Sequence, residues 1–443
     1  ADGAAHHRNK HFSAFLPLHI TFHCFLVYTS KSVCSTETKI RYAHPITPRY
    51  FALTITDIQR NLGALFLTLI AQIIKTIQKY LMTIANEPNL IRHGLYVKQI
   101  RPLLPDEAFL KDSNKLTILL INIAILILGW GIASYLNQWP IYLLWLYLPL
   151  SLIMGNSIIV LLFSSHELLH NSVIKNPRLI YAFGFLGMTM LGMPPTFWLA
   201  VHNREHHNKT NSLGDPDRNY LSSQPDTWGK WIQDKFVPSA EVKPFGLMLG
   251  MASAWAVHNF RNLTSVLLFN SKSVNYVPAA FTVGAKERRI IAVEWLGIIA
   301  IHGSILAYLQ FDLLKIVLAY IIPIAIGYAG VIFYIYTNHM ICEMTDVNDP
   351  LVNSLSLRMP KIFDLLHLNF SYHTEHHIFP SMNSNYYPLV QQLLIQHYPE
   401  KYNLIDVKEA WSLLMQTPRH YRNNNHFTDW SGKKSVPCPL IDN

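Results

Sequence analysis

Long apolar runs separated by short links dominate the hydrophobic pattern of this 443-residue chain. Four runs, at 116–136, 141–164, 290–310 and 316–336, are each about as long as the ~20 residues that an α-helix needs to cross a ~30 Å hydrocarbon core. Short links join the first run to the second and the third to the fourth. The pattern therefore predicts an all-α integral membrane protein whose four transmembrane helices pair as two hairpins.

A fifth apolar stretch, residues 179–200, does not fit a single crossing of the membrane. Gly192, Pro194 and Pro195 interrupt it. It also separates His170 from His202, which both belong to histidine clusters described below. If both histidines serve one site, the stretch must lie in the interface or dip into the bilayer and return.

The basic residues predict the orientation of the spans. Of the 36 Lys and Arg residues, 14 precede residue 116, 13 lie between residues 166 and 289, 8 follow residue 337, and the hairpin links hold only Lys315. Because basic residues gather on the cytosolic side, we expect both termini and the central segment to be cytosolic. The net charge of +9 fits anionic lipid better than nucleic acid, because only 14% of residues are charged and no RNA-binding aromatic motif occurs.

Histidines are crowded into three short clusters on the predicted cytosolic side. The segment HELLH contains His166 and His170, HNREHH contains His202, His206 and His207, HTEHH contains His373, His376 and His377, and His339 stands alone in YTNHM after the fourth span. Residues i and i+4 share a face of an α-helix, so His166 and His170 can reach one metal ion.

The other two clusters are interpreted with the same helical geometry. His373, His376 and His377 are predicted to share one face. His202 and His206 are predicted to share a face while His207 points ~140° away, a fan that can supply two metal ions or bridge two helices. Nine imidazoles without a thiolate suit two ions with four or five nitrogen ligands each, which allows iron, zinc, copper or nickel.

Three other interpretations stay open from the residues alone. The clusters can be surface histidines of a cytosolic cap. HELLH also matches the H-E-x-x-H pattern of zinc proteases, with Glu167 as general base. A metal carrier or receptor would need a polar path through the spans, for which the chain offers only Glu294 and His302.

Around its histidine clusters the chain resembles the membrane fatty acid desaturase and hydroxylase superfamily, whose three histidine boxes have the forms HxxxH, HxxxHH and HxxHH. The resemblance covers about residues 115–400 and includes the text NREHHNKTNSLGDPDRNY and NFSYHTEHHIFPSM. It implies four membrane helices beneath a cytosolic helical cap that holds the boxes and a di-iron centre. His339 occupies the place of the further histidine that the family supplies after its last span.

The resemblance also implies a reaction and its partners. Such enzymes use O2 and two electrons to remove two vicinal hydrogens from a fatty acyl chain, releasing water. The substrate would be a lipid or an acyl thioester. Because the chain has no HPGG haem motif, electrons would come from a separate donor, ferredoxin or cytochrome b5. Hydroxylation or ketolation of a lipid, an alkane or a carotenoid is the alternative on the same scaffold.

Three further expectations concern the surroundings of the boxes and the division of the chain. Glu167, Glu205 and Glu375 are predicted to orient ligand imidazoles by accepting their second N–H. Trp198 fits either the lining of an acyl cleft or an interfacial anchor. We divide the chain into an N-terminal cytosolic or interfacial region, a desaturase domain and a C-terminal cytosolic tail that is loosely ordered past Trp411. Their bounds are 1–110, 111–400 and 401–443.

Overall fold

The structure is a computed structural model that describes residues 70, 72, 74, 75, 90–218, 220–273 and 279–440. Most of the N-terminal region predicted over 1–110 lies outside these residues, and the domain bounds at 110 and 400 stay predictions. The residues from Pro88 onward form one compact unit.

Helices make up most of the described chain. The α-helices are α1 His93–Ile100, α2 Asn114–Ala133, α3 Tyr147–Leu169, α4 Pro177–Thr189, α5 Pro195–Trp198, α6 His207–Lys209, α7 Trp228–Phe236, α8 Pro244–Thr264, α9 Ala285–Tyr308, α10 Leu313–Ile316, α11 Ile322–His339, α12 Pro350–Asn353, α13 Lys361–Leu366, α14 His373–Ile378, α15 Tyr387–His397 and α16 Val407–Gln416. Three π-helical segments continue α5, α8 and α10, at Leu199–His206, Ser265–Phe269 and Val317–Ile321. Short 3-10 helices occur at Arg101–Leu103, Asp106–Phe109, Leu136–Gln138, Ile141–Leu146 and Ser384–Tyr386.

Among the residues that the structure describes, four helical segments are long and apolar enough to cross a membrane, as predicted: Asn114–Gln138, Ile141–Leu169, Ala285–Tyr308 and Leu313–His339. Large apolar side chains on these segments face outward, among them Leu128 and Val293. Outward apolar surface of this kind is stable in lipid rather than in water. The hairpin pairing and the cytosolic position of the cap stay predictions.

The fifth apolar stretch turns back on itself instead of crossing once. Helix α4 ends at Thr189, Gly192 adopts a φ of +63° that favours glycine, and α5 begins at Pro195. A buried carboxylate of α9 binds both helices of this stretch, α4 and α5. Glu294 accepts hydrogen bonds from the Tyr181 hydroxyl of α4 at 2.8 Å and from the Thr196 amide of α5 at 3.0 Å.

Strands are short and lie in the last third of the chain. β1 Ser356–Arg358 pairs in parallel with β2 Leu404–Asp406. β3 His420–Asn423, β4 His426–Thr428 and β5 Ser435–Pro437 form an antiparallel sheet. The expectation of a loosely ordered tail past Trp411 was wrong. The helix α16 and the antiparallel sheet are ordered parts of the fold past Trp411, where Phe427 and Cys438 are fully buried.

Candidate metal centre

The structure gathers all nine predicted histidines and sorts them into two groups. The five-histidine group contains His166, His170, His202, His207 and His376, and the four-histidine group contains His206, His339, His373 and His377. Within each group, one ring nitrogen per residue lies within 4.8 Å of the others. Residues separated by more than 200 positions therefore meet at two points, each of which could hold a metal ion.

We call HELLH box one, HNREHH box two and HTEHH box three. Box one and box three follow the periodicity of the α-helix. His166 and His170 lie one turn apart at the end of α3 and belong to the same group, as predicted. In α14, His373 and His377 are also one turn apart and share the four-histidine group. His376, three residues after His373, belongs to the five-histidine group, so the face that the three histidines were predicted to share serves both groups.

Box two departs from α-helical geometry. Leu199–His206 is a π-helix, and the His207 amide donates to the carbonyl of His202, five residues earlier. The Nε2 atoms of His202 and His207 lie 3.2 Å apart in the five-histidine group, and His206 joins the other group. The cluster does fan out toward two groups. His202 and His206 share a face, as predicted, because their rings stack with centroids 5.2 Å apart. The prediction that His207 points away from His202 was wrong, because it assumed 3.6 residues per turn.

The ring nitrogens that face each other lie at the spacing of ligands on one ion. Nε2–Nε2 distances are 3.1 Å for His166 and His202, 3.1 Å for His207 and His376, and 2.7 Å for His339 and His373. Two nitrogens bound at about 2.1 Å to one ion and at right angles would lie about 3 Å apart. Facing lone pairs repel each other unless a proton or a cation lies between them, so this arrangement fits a metal.

The opposite ring nitrogens are fixed by hydrogen bonds. His206 donates its Nδ1–H to Asp215, whose two oxygens lie 3.0 Å away, and His339 donates to the Asn353 carbonyl at 3.0 Å. A neutral ring that donates from Nδ1 keeps the lone pair of Nε2 for a metal. The donor atoms of both histidines are thus pre-oriented.

The residues that contact the histidines through Nδ1 form an outer layer around the two groups. Two hydroxyl groups also belong to it. The Tyr387 hydroxyl lies 3.1 Å from His376 Nδ1, and Thr210 Oγ1 lies 3.4 Å from His377 Nδ1. Tyr387 is fully buried and comes from α15, which begins ten residues after His377, the last residue of box three. Each contact restricts the rotation of its ring.

Glu167 lies near box one, but its carboxylate is too far from the His166 ring for the predicted hydrogen bond, and it carries a partner that the sequence did not reveal. Its Oε1 is 3.6 Å from His166 Nδ1, while its Oε2 is 2.8 Å from the ammonium of Lys115. Both side chains of the ion pair are almost fully buried, and Lys115 also donates to Ser384 at 2.7 Å. A carboxylate held by an ammonium is a poor general base, which disfavours the protease interpretation of HELLH.

The other two predicted carboxylates bind different partners. Glu205 pairs with Arg204 at 3.2 Å and with Lys209, and these cations hold the pKa of its carboxyl below the usual value despite partial burial. Glu375 accepts from Ser356 at 2.5 Å and from Tyr402, and burial raises its pKa. The structure gives neither carboxylate a histidine partner, so the predicted orienting role does not hold for them.

Burial keeps most of the histidines outside the spans neutral. It lowers the pKa of His202 to about 3, and neighbouring imidazoles reinforce the same effect elsewhere. The pKa lies well below its ordinary value for His170, His207, His373, His376 and His377. For His206, burial alone would lower the pKa, but the Asp215 carboxylate raises it above the ordinary value. Neutral imidazoles are the form that binds metals.

An apolar cavity lies against both groups. His166 and His202 line it from the five-histidine group, and His206, His339 and His373 line it from the four-histidine group. Most of the remaining lining is apolar, including Leu162, Met193, Trp198, Val201 and Ile335. Trp198 is buried and stacks on His202 with ring centroids 4.6 Å apart. Of the two roles expected for this tryptophan, the cleft lining agrees with its position.

Sequence reasoning missed Lys115, Asp215, Asp217 and Tyr387. Asp217 lies between the groups, with Oδ2 3.7 Å from His202 Nδ1 and Oδ1 3.4 Å from His258 Nε2. The stretch GDPD at 214–217 carried a signal, because glycine, proline and aspartate mark a turn that can return the chain toward box two. No sequence motif around Lys115 or Tyr387 indicates that either residue lies beside the histidines.

Comparison with known proteins supplies a family. No curated protein matches the chain. The sequence model named fatty acid desaturase matches residues 137–408, a segment that contains every histidine of both groups. The match covers more than half of the chain, which therefore belongs to the fatty acid desaturase family of lipid-oxidising enzymes.

Proposed function

We propose that this protein is an O2-dependent di-iron desaturase that introduces a double bond into a fatty acyl chain. The observation that carries the proposal is the sorting of nine histidines into one group of five and one of four, with ring nitrogens converging in each. Each histidine of the two groups would be an iron ligand. Family membership supports lipid oxidation as the reaction class.

The residues present fit two iron ions. Both groups offer imidazole nitrogens and no thiolate, a donor set that suits iron. His170 Nε2 is buried and has no hydrogen-bond partner in the described part of the chain, as expected for an atom that a metal would satisfy. The chemistry that two bound irons supply is the O2-dependent removal of two vicinal hydrogens, with water as the other product.

The chain's own residues would orient the ligands and shape the substrate site. Asp215, Asn353 and Tyr387 fix individual imidazoles through Nδ1. The apolar cavity beside the two groups would hold a methylene segment and exclude water. Leu162 and Ile332 contribute to this lining from the second and fourth spans, so a lipid tail can approach from the membrane side.

The distribution of charge supports the remaining parts of the proposal. The concentration of Lys and Arg outside the hairpin links supports a cytosolic position for the histidine groups. A soluble or membrane-bound one-electron carrier in the cytosol, ferredoxin or cytochrome b5, would then deliver the two electrons. We assign this role to a separate protein because the sequence contains no HPGG haem motif.

The decisive experiment combines metal analysis with lipid analysis of the detergent-purified protein. We expect about two irons and little zinc per chain, and a monounsaturated product from a saturated acyl lipid when an electron donor is supplied. His376→Ala should lose iron and all activity while still inserting into membranes. The matched control is His397→Ala, since His397 lies outside both groups.

Each outcome selects one function. A product that gains an oxygen atom instead of losing two hydrogens would identify a hydroxylase on the same scaffold. One zinc per chain and no iron would reject the di-iron proposal. Full activity of His376→Ala would reject the role of box three.

A further inference from the structure

The cavity beside the metal centre has one polar corner, formed by Asp217, His258 and Asn259. Asp217 Oδ1 lies 3.4 Å from His258 Nε2, and Asn262 Nδ2 lies 3.1 Å from the same nitrogen. Asp217 also places an oxygen within 4.8 Å of ring nitrogens of His202 and His206. The polar corner therefore adjoins both histidine groups rather than the distant end of a substrate channel.

Asn259 has an unmet hydrogen-bonding group in this corner. The residue is 7% exposed, and its side-chain Nδ2 is buried without a hydrogen-bond partner among residues 90–440 that the structure describes. Buried amide donors are rarely left without an acceptor, because the group has been removed from water and gains nothing in return. A hydrogen-bond acceptor on a bound ligand would satisfy the Asn259 amide.

We propose that the polar corner binds an oxygen function of the lipid substrate, a hydroxyl or a carbonyl, through Asn259. This inference rests on the proposed function, in which a lipid occupies the cavity. A hydroxyl both donates and accepts, so it satisfies the asparagine amide in either orientation of that amide. An unsubstituted methylene chain offers no acceptor and would leave the amide nitrogen without a hydrogen bond.

The lining of the cavity sets the position of this oxygen along the substrate. Asn259 lines the same cavity as histidines of both groups, and Asp217 in the polar corner has an oxygen within 4.8 Å of ring nitrogens of His202 and His206. The oxygen function would therefore lie close to the carbon that is oxidised. The substrate class is a lipid oxygenated close to the reacting bond, not a chain attacked far from any polar group.

Selectivity follows from the same contact. A site built around a hydrogen bond discriminates strongly against an analogue that lacks the bonding group, because the protein's own polar atom is then left unpaired. Asn259 is thus the residue that should distinguish an oxygenated lipid from a hydrocarbon of the same length.

The test measures binding and does not depend on catalysis. Hexadecan-1-ol and hexadecane are titrated against the full-length protein in detergent, and the rise in melting temperature gives an apparent Kd for each probe. We expect the alcohol to bind at least about tenfold more tightly than the alkane in the wild type. In Asn259→Leu the two Kd values should fall within about twofold of each other.

A matched control removes general effects of replacing a buried asparagine. Asn122 is 8% exposed in the first span and does not line the cavity, so Asn122→Leu should keep the full preference for the alcohol. Asn259→Ala, which adds no bulk, is measured beside the leucine variant and should behave in the same way. Because each variant is its own reference for the two probes, a change in overall stability does not affect the ratio.

The outcomes separate this inference from the proposed function. Equal binding of both probes by the wild type, or a preference that survives in both Asn259 variants, would overturn the polar corner as an oxygen site. Iron content and acyl products are measured on the same preparations. A di-iron enzyme without the preference would refute only the polar corner, and a preference without iron would refute only the desaturase proposal.

Discussion

The two histidine groups differ in the carboxylate that stands behind each. In the four-histidine group, Asp215 accepts from His206 at 3.0 Å and is otherwise held by the backbone amides of Asn211 and Asp217. In the five-histidine group, Glu167 lies farther from its histidine and is paired with Lys115. One carboxylate thus acts on its ring with its full negative charge, and the other is offset by an ammonium.

This difference indicates that the two sites are chemically unequal. Negative charge behind an imidazole raises its basicity and stabilises a bound cation, and the effect is strong where solvent is excluded. Every member of the four-histidine group is buried, whereas His202 and His207 of the other group are partly exposed. We therefore expect the four-histidine group to hold its ion with fewer ligands but stronger support. Asp217, which lies near both groups, does not distinguish them.

Removal of a ligand should show the difference most strongly. His377→Ala leaves three histidines in its group, and we expect the loss of about one metal ion per chain. His207→Ala leaves four in the other group and, because His207 is partly exposed whereas His376 is buried, should lose less metal than His376→Ala or His377→Ala. Metal content after desalting, measured by mass spectrometry, checks the variants. Equal losses would mean that the two groups are equivalent.

The buried ion pair should dominate stability rather than metal binding. Lys115→Met leaves the Glu167 carboxylate buried without its cation, since both side chains are almost fully buried. We expect the free energy of unfolding to fall by about 3–5 kcal/mol, with most of it restored in the double variant Lys115→Met/Glu167→Leu. Thermal unfolding in detergent ranks the wild type, the single variant and the double variant by stability. A stable single variant would show that Glu167 does not need its partner.

Neutralising the other carboxylate should act on the metal instead. Asp215→Asn keeps the shape but removes the charge behind His206. Loss of such a partner typically costs about 10–100-fold in metal affinity, which we expect here for one of the two ions. Competition with a chelator measures it. Glu205→Gln is the matched control and should leave both affinities unchanged, because Glu205 pairs with Arg204 and Lys209.

The smallest effects should come from the hydroxyl groups. Tyr387→Phe removes the contact of 3.1 Å to His376, and Thr210→Val removes the longer contact of 3.4 Å to His377. One neutral hydrogen bond is worth about 1 kcal/mol, so we expect metal affinity to fall by several-fold in the first variant and by less in the second. The same chelator competition applies. A reversed order would show that distance does not rank these contacts.

The spans and the identity of the metal candidates were predictable from sequence because both depend on local chemistry. Four apolar runs of membrane length and three histidine clusters are visible without tertiary information. His166 and His170 were placed correctly because an ordinary α-helix carries them. The same reasoning gave the number of ligands expected for each of two ions, and the structure divides the histidines in that ratio.

The outer layer was not predictable from neighbours in the sequence. Glu205 and Glu375 were chosen because each precedes a His-His pair, but consecutive residues on an α-helix point about 100° apart. Adjacency therefore tends to direct a carboxylate away from the ring beside it. The partners actually found come from turns or distant helices. Asp215 returns through a loop in which Asn211 adopts a φ of +54°, and Lys115 is 52 positions from Glu167.

The π-helix of box two has a consequence for how such a motif can arise. Deleting Asn203, Arg204 or Glu205 would turn HNREHH into HxxHH, the spacing of HTEHH, which an α-helix carries and which also reaches both groups. The extra residue of HNREHH is matched by the wider turn of its π-helix, so that its three histidines still face two groups. A one-residue insertion with a matching change of helical period is thus a short evolutionary route between the two motifs.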